Sequence, residues 1–402
     1  MTILFGHPSG SPFSHNAALA HFEAGRLEAF CVPWMPSEAA LRRFCSVAPL
    51  RPMAERLARR RFPALSAAPK VQGRVGEWRR LALRAAGRGD ERLSYEANDW
   101  LMATMAREVR RPRVTAVHAY EDCSMEQFVE AKRLGKVCIY DMPIGYYPAW
   151  EQIQAELAHK FRDWLPATGL PSQRFARPEQ KRQEMELADL VLVPSVFVEE
   201  TVRRFHPDKL ISRASYGVDI DFWTPSEERR SEKPLHFLYV GQLSVRKGTP
   251  LLIEAWAAAG LRDAHLSLVG SWQLAEGKKR ELPPNITWTA PVSAVGLRQF
   301  YQVADVFVFP TFFEGRALAV GEAMAVGLPI LSTAACGFDV LCLACGRIVP
   351  VGDKDALTEE LRRFAGHRDE LPAMSRAARA SAELLTWRRY REQVSEAVAP
   401  LV

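Results

Sequence analysis

Residues 304–333 read ADVFVFPTFFEGRALAVGEAMAVGLPILST. The run ADVFVFP (304–310) is short and almost continuously apolar, the pattern of a strand buried on both faces of a parallel sheet. RALAVGEAMAVG (316–327) has the length of a helix, and LPILST (328–333) is a second apolar strand. Strand, helix, strand at this spacing is the repeating unit of a doubly wound α/β domain.

The same alternation extends both ways. Before it come LHFLYVG (235–241), TPLLIEAWAAAG (249–260), AHLSLVG (264–270) and NITWTA (285–290); after it come GRIVPVG (346–352) and helices at 353–366 and 371–400. Upstream, TILFG enters the turn-rich loop HPSGSPFSH and a helix closed by Gly25. VTAVHAY (114–120), MEQFVEAKRLG (125–135), VCIYDMP (137–143), a helix from Glu179 to Leu187, ADLVLVP (188–194) and a Ser195-capped helix (195–205) form a second series. YGVDIDFWTPSEERRSEKP (216–234) is polar and rich in charge, and reads as a linker. The expected layout is a first domain over 1–215, the linker, a second domain over 235–385 and a C-terminal helix over 386–402 that crosses back to the first domain. Two domains suit 402 residues.

Residues 36–112 stand apart. They read as helical insertions without sheet, near 36–60 and 91–110, with FPALSAAPKVQGRVGEW as an exposed loop between them. Seventeen arginines and Lys70 face seven acids between Arg42 and Arg113, a net +11 in a chain whose total is +6. This asymmetry suggests an anionic partner. Nucleic acid is disfavoured, because interleaved aromatics and a known motif are missing. No basic-then-apolar leader and no apolar stretch of spanning length is present, so the expected location is the cytoplasm. Of seven cysteines, Cys342 and Cys345 form a C-x-x-C near Cys336, but no complementary ligand pair accompanies them; they read as structural cysteines and no metal is expected.

Two stretches carry chemistry. In VGQLSVRKGTP (240–250) a strand ends at Gly241 and a helix begins at Thr249–Pro250, with Arg246 and Lys247 between. A helix start with a lysine beside it suits a diphosphate. In FFEGRALAVGEAMAVGLP (312–329), Glu314 lies in a loop and Glu322 one turn into the following helix. Helical side chains lean toward the helix N-terminus, so both carboxylates can meet one ligand's hydroxyls there, with the amides of Gly315, Arg316, Ala317 and Leu318 facing a phosphate.

These paired stretches resemble glycosyltransferase family 4, the retaining GT-B enzymes. The E-x₇-E run with EAMAVGLP behind it looks like that family's donor signature, and GQLSVRKG like its phosphate loop; ADLVLVPS and YGVD are similar to family elements too. The resemblance covers about 180–390 well and 1–30 and 114–145 loosely. It implies two Rossmann-like domains facing across a cleft. Glu322 would bind the ribose hydroxyls, Glu314 the transferred sugar, and Lys247, with Arg246, the diphosphate. The loop from Gly6 through Gly10 and Ser11 to Phe13 would close over the donor. The donor would be a nucleotide sugar, UDP- ahead of GDP-, with no cofactor or metal, and the acceptor a glycan or lipid-linked glycan.

There are departures. Gln242 stands where the family often has Arg, with Arg246 nearby as a substitute. The family's H-x-H is His118-Ala119-Tyr120 here, which leaves open which of His118 and Tyr120 touches the reacting sugar. Asp219-Ile220-Asp221 reads as a turn and not as a metal-binding D-x-D. A GT-B epimerase or phosphorylase is the competing activity. The basic stretch 42–113 suggests peripheral contact with an anionic membrane at its inner face, with FPALSAAP dipping between the cations.

Overall fold

The computed structural model of the chain describes residues 2–8, 10–58, 60–85, 92–167, 169, 177–226, 234–338 and 344–401. In the first half the strands are β1 (Ile3–Gly6), β2 (Leu27–Pro33), β3 (Lys70–Gly73), β4 (Ala116–Tyr120), β5 (Val137–Asp141), β6 (Leu190–Val193) and β7 (Ile211–Arg213). They form one parallel sheet in the order β3-β2-β1-β4-β5-β6-β7. Its helices are α1 (Pro12–Glu23), α2 (Glu38–Cys45), α3 (Arg51–Ala58), α4 (Arg74–Ala85), α5 (Arg92–Glu108), α6 (Met125–Arg133), α7 (Tyr147–Lys160), α8 (Pro178–Leu187) and α9 (Val196–Arg203).

The second half carries β8 (Leu235–Val240), α10 (Thr249–Ala259), β9 (Ala264–Val269), β10 (Ile286–Thr289), α11 (Ala294–Val303), β11 (Val306–Phe309), α12 (Leu318–Val326), β12 (Ile330–Thr333), β13 (Gly346–Val349), α13 (Lys354–Gly366), α14 (Leu371–Glu383) and α15 (Trp387–Val398). Its sheet is parallel in the order β10-β9-β8-β11-β12-β13. Every apolar run read as a strand is one, because a strand covered on both faces needs an unbroken apolar sequence. In each sheet the strand order reverses once, between β1 and β4 and between β8 and β11. Ligands of such sheets sit at the carboxyl ends of the strands beside that reversal. The loops after β1, β8 and β11, the end of β4 and the first turns of α12 carry the candidate residues.

The insertion differs from its reading. It contributes β3 to the sheet edge, pairing Lys70–Gly73 with Phe30–Pro33. The Lys70 ammonium donates to the carbonyls of Leu65, Ser66 and Ala68 at 2.6, 3.0 and 2.9 Å and so folds the preceding segment back on itself. Within FPALSAAP, Leu65 and Ala68 are buried and anchor the segment, while Pro63, Ala64, Ser66, Ala67 and Pro69 are exposed. A four-residue strand is too short to show alternation, and its partner edge is set only by the tertiary fold. The 36–60 helix is two helices, and α4 occupies what reads as loop. A separate small core of Leu41, Ala54 and Leu57 with Trp34, Phe44, Met53 and Leu81 holds α2, α3 and α4 together. Much of the charge is used internally: buried Glu77 pairs with Arg60 and Arg80 at 2.8 and 2.5 Å.

Two further differences bear on the domain junction. The apolar face of α7, with Trp150, Leu157 and Phe161, joins the core of the second half. The helix read over 371–400 is interrupted at Leu384–Thr386, where Thr386 pairs with Val218 and caps α15. The chain crosses there so closely that a Cβ on Gly217 would lie 2.3 Å from the Trp387 nitrogen. α15 then packs Tyr390 and Val394 into the first core, and Arg391 bonds to Glu23 and Asn16 of α1 at 2.8 and 2.9 Å. Among the described residues no helix is long and apolar enough to cross a membrane.

Candidate active site

β8 ends at the loop Gly241–Gly248. Gly248, in the left-handed region at φ 73°, caps α10 one residue before the expected Thr249, and a Cβ there would lie 1.9 Å from the Pro310 carbonyl oxygen. The loop is tied to the one after β11 because Phe312 N–H donates to Arg246 O at 2.9 Å. This brings the two predicted motifs together. Arg246 Nη1 and Lys247 Nζ both reach Oε1 of Glu314, at 2.9 and 2.8 Å, and Lys247 also lies over the Phe309 ring. Burial pushes the Glu314 carboxyl up, but the two cations outweigh it and hold it below its ordinary value. Both ion pairs use one oxygen, which leaves Oε2 to a ligand. Arg246 also donates to Phe313 O at 2.6 Å, so its guanidinium is committed inward and is not a free substitute for the missing arginine at Gln242. Gln242 is exposed at the loop tip, and its carbonyl accepts from the Tyr239 hydroxyl at 2.9 Å.

The start of α12 is narrower as an anion site than the sequence suggests. Ala317 N–H is spent on Cys336 O at 3.0 Å. Arg316 is buried, donates to Tyr216 O and Gly337 O at 3.2 and 2.9 Å, and stacks on Phe338. It pins the domain junction. In the first helical turn Val320 N–H donates to Ala317 O at 2.9 Å, which leaves the N–H groups of Leu318 and Ala319 at the helix start. One turn in, Glu322 accepts from the Tyr301 hydroxyl at 3.0 Å. Burial raises its pKa to about 7.

The first domain meets this site directly. Ile144, after β5, pairs with Gly315; Gly145 N–H donates to Glu314 O at 3.2 Å, and Ser195 Oγ donates to Gly315 O at 2.6 Å. The segment 143–145 is not marked by sequence, and Ser195 is marked only as a helix cap at the end of ADLVLVPS. Only the glycines hint at it, by permitting the close approach.

Of the first-domain candidates, His118 is fully buried. It forms a 2.8 Å hydrogen bond with His21, and its Nε2 faces Asp141 Oδ2 at 3.4 Å. Burial pushes its pKa down to about 3, so the ring is neutral. Tyr120 lies closer to the loop after β1, with its ring against His7 and Phe13 at 4.5 and 5.6 Å. His7, Asp141, Tyr216 and Tyr390 complete this buried aromatic and polar wall; His7 and Tyr216 lie in stretches the sequence singled out, the loop Gly6–Phe13 and YGVD, while Asp141 and Tyr390 were missed. Burial raises the Asp141 carboxyl to about 8, opposed by the Tyr120 hydroxyl. Ser11 is the cap of α1, its hydroxyl accepting from Ser14 N–H at 3.4 Å. Gly6 admits Met105, whose Sδ would lie 2.0 Å from a Cβ. Gly10 adjoins that cap. Asp219 Oδ1 accepts from Phe222 N–H at 3.0 Å, which makes 219–222 a turn. Cys336 is in the core and Cys345 faces Ser381 at 3.2 Å, while Cys342 lies outside the described residues.

Residues 234–367 match the family described as Glycosyl transferases group 1. The chain is 27% identical over 285 residues to D-inositol 3-phosphate glycosyltransferase of Paenarthrobacter aurescens (strain TC1), covering 61% of this chain and 69% of that protein. It spans less than half the length of the next curated relatives. Among solved structures it is similar to sucrose-phosphate synthase from Thermosynechococcus elongatus, with a TM-score of 0.68 at 17% identity over 100% of this chain and 99% of that one. It is also similar to Anabaena HepE in complex with UDP-glucose, with a TM-score of 0.62 at 15% identity over the whole of both chains. These comparisons favour glycosyl transfer over an epimerase or phosphorylase. Residues 234–367 are of the group 1 kind, and the chain is a glycosyltransferase of the GT-B fold.

Proposed function

We propose that the chain moves a sugar from a nucleoside diphosphate sugar to a hydroxyl group of a glycan or lipid-linked glycan, with retention at the anomeric carbon and without a metal ion. The observation that carries this reading is the cluster of Glu314, Arg246 and Lys247 beside the start of α12, where the order of the second sheet reverses. Lys247 and the first-turn amides meet the diphosphate, Glu314 Oε2 takes sugar hydroxyls, and Glu322 takes the ribose diol. The bond from the anomeric carbon to the phosphate oxygen breaks as the acceptor oxygen bonds to that carbon. The acceptor's proton goes to the departing phosphate oxygen. Lys247 and the amides stabilise the charge developing there. The bound UDP-glucose of the Anabaena protein supports a uridine donor.

A panel of UDP-, GDP- and ADP-sugars read by thermal shift tests the donor class, since a ligand held only by the folded chain raises the melting temperature. The expected result is a rise with a UDP-sugar that is undiminished in EDTA. A rise that EDTA abolishes contradicts the metal-independent reading.

The membrane contact proposed for 42–113 rests chiefly on α4, since the larger apolar side chains of FPALSAAP, Leu65 and Phe62, are buried and half-buried respectively. Trp78 is 53% exposed on α4 beside Arg79, and Val47 is exposed after α2. Exposed tryptophan among arginines suits a headgroup interface, where each basic residue adds roughly 1 kcal/mol on anionic lipid. Pelleting with anionic vesicles at low salt, lost at high salt and reduced by Trp78→Ala, is the expected outcome. Equal weak pelleting with anionic and neutral vesicles points to an acceptor in solution.

A further inference from the structure

Tyr301 sits on α11, outside every motif discussed so far, and is completely buried. Its hydroxyl lies 3.0 Å from Glu322 Oε2 and 3.2 Å from the carbonyl oxygen of Ala319. A phenol has one proton and here two acceptors. When the proton points to Glu322, the carboxylate is fixed and Oε1 is left to accept from a diol. When it points to Ala319 O, the phenol oxygen can only accept, and Glu322 satisfies it as the neutral acid. In that second arrangement the acid's O–H is spent as a hydrogen-bond donor to the Tyr301 oxygen, and the uncharged acid is a poorer partner for two ribose hydroxyls, which both donate.

We infer that Tyr301 is a positioning residue for nucleotide recognition: its hydroxyl, switching between Ala319 O and Glu322 Oε2, selects the carboxylate form of Glu322 that accepts the ribose diol. The inference rests on the proposed ribose-binding role of Glu322. The surroundings leave the choice to Tyr301. The cations on the packed elements have partners of their own: Arg298 of α11 donates to Phe222 O, Arg379 of α14 to the carbonyls of Ile220, Trp223 and Ala325 and to the Glu383 carboxylate, and Arg316 before α12 to Tyr216 O and Gly337 O. Burial raises Glu322 to about 7, the tyrosine hydrogen bond opposing it, while burial and Glu322 hold Tyr301 well above the usual phenol range and therefore protonated. A raised carboxyl loses its charge as pH falls through that value. Donor affinity then falls about tenfold from pH 8 to pH 6 as the binding-competent fraction shrinks.

The test is titration calorimetry from pH 6 to 9 with whichever of UDP-, GDP- or ADP-glucose gives the largest thermal shift. The diphosphate of these probes does not titrate in this range. Tyr301→Phe removes only the hydroxyl. It is expected to move the affinity midpoint to higher pH, weakening binding about tenfold at pH 7 and restoring it near pH 9. Glu322→Gln is expected to bind weakly with no pH dependence. If Tyr301→Phe keeps the wild-type midpoint, or is weakened equally at every pH, while Glu322→Gln loses affinity, the switch is wrong and the ribose assignment stands. If Glu322→Gln binds as wild type, or none of the three probes binds, the donor assignment itself fails and the inference with it.

Discussion

Lys247→Ala is expected to lower kcat by about two orders of magnitude while the fold survives, the loss typical of removing one donor aimed at developing charge, or about 2.7 kcal/mol of barrier. The fold survives because Glu314 keeps its second partner: Arg246 Nη1 stays at 2.9 Å from the same oxygen and is anchored to Phe313 O. Lys247 is thus the replaceable half of the pair for stability and the important half for catalysis, since its ammonium is a mobile point charge and Arg246 faces inward. Single-turnover rates at saturating donor check this. A rate equal to wild type would make Lys247 only the counter-ion of Glu314.

Gly315→Ala should be at least as damaging, through geometry. A Cβ at Gly315 would lie 1.8 Å from the Pro143 carbonyl oxygen and 2.6 Å from its carbon. Both are backbone atoms, which cannot rotate away as a side chain can. The 143–145 segment would have to withdraw from Glu314, breaking the Gly145–Glu314 and Ser195–Gly315 hydrogen bonds. Overpacking of this kind costs about 1–3 kcal/mol. The expected readouts are a lower melting temperature and a fall of more than tenfold in kcat/KM, since a displacement of about 1 Å at a reacting centre costs on that order or more. Gly366→Ala, where nothing lies within 4 Å of the added Cβ, is the control and should change neither. Wild-type kcat/KM in Gly315→Ala would show that the 143–145 contact plays no part in turnover.

What the sequence determined by itself is the α/β class, ten of the thirteen strands among the described residues, and the two loop-and-helix-start stretches VRKG and E-x₇-E. These were legible because each depends on a local pattern: an unbroken apolar run for a doubly covered strand, a turn and helix start for an anion loop, one turn of helix to aim Glu322. β3 was not legible, because a four-residue strand takes its identity from the edge of β2 that it meets. Arg316 reads as a contributor of its backbone amide; that its guanidinium clamps Tyr216 O and Gly337 O was not legible, since a motif fixes a residue's position along the chain but not which carbonyls its side chain will reach.

The tertiary structure decided the rest of the site. Tyr301, Asp141 and Tyr390 come from three separate elements and nothing local marks them, while Ser195 and Tyr216 stand in marked stretches whose contacts the sequence does not give. Folding placed the Tyr301 hydroxyl on Glu322 and Ser195 on Gly315, 21 and 120 residues apart in the chain. It also gave the two residues at the end of β4 different surroundings: His118 turns inward to His21 and Asp141, while Tyr120 borders His7 and Phe13. The physical reason is burial. Two residues apart on one strand share a face, so their different surroundings come from where the sheet ends and the loops begin, which is a property of the packed domain and not of the strand's own residues.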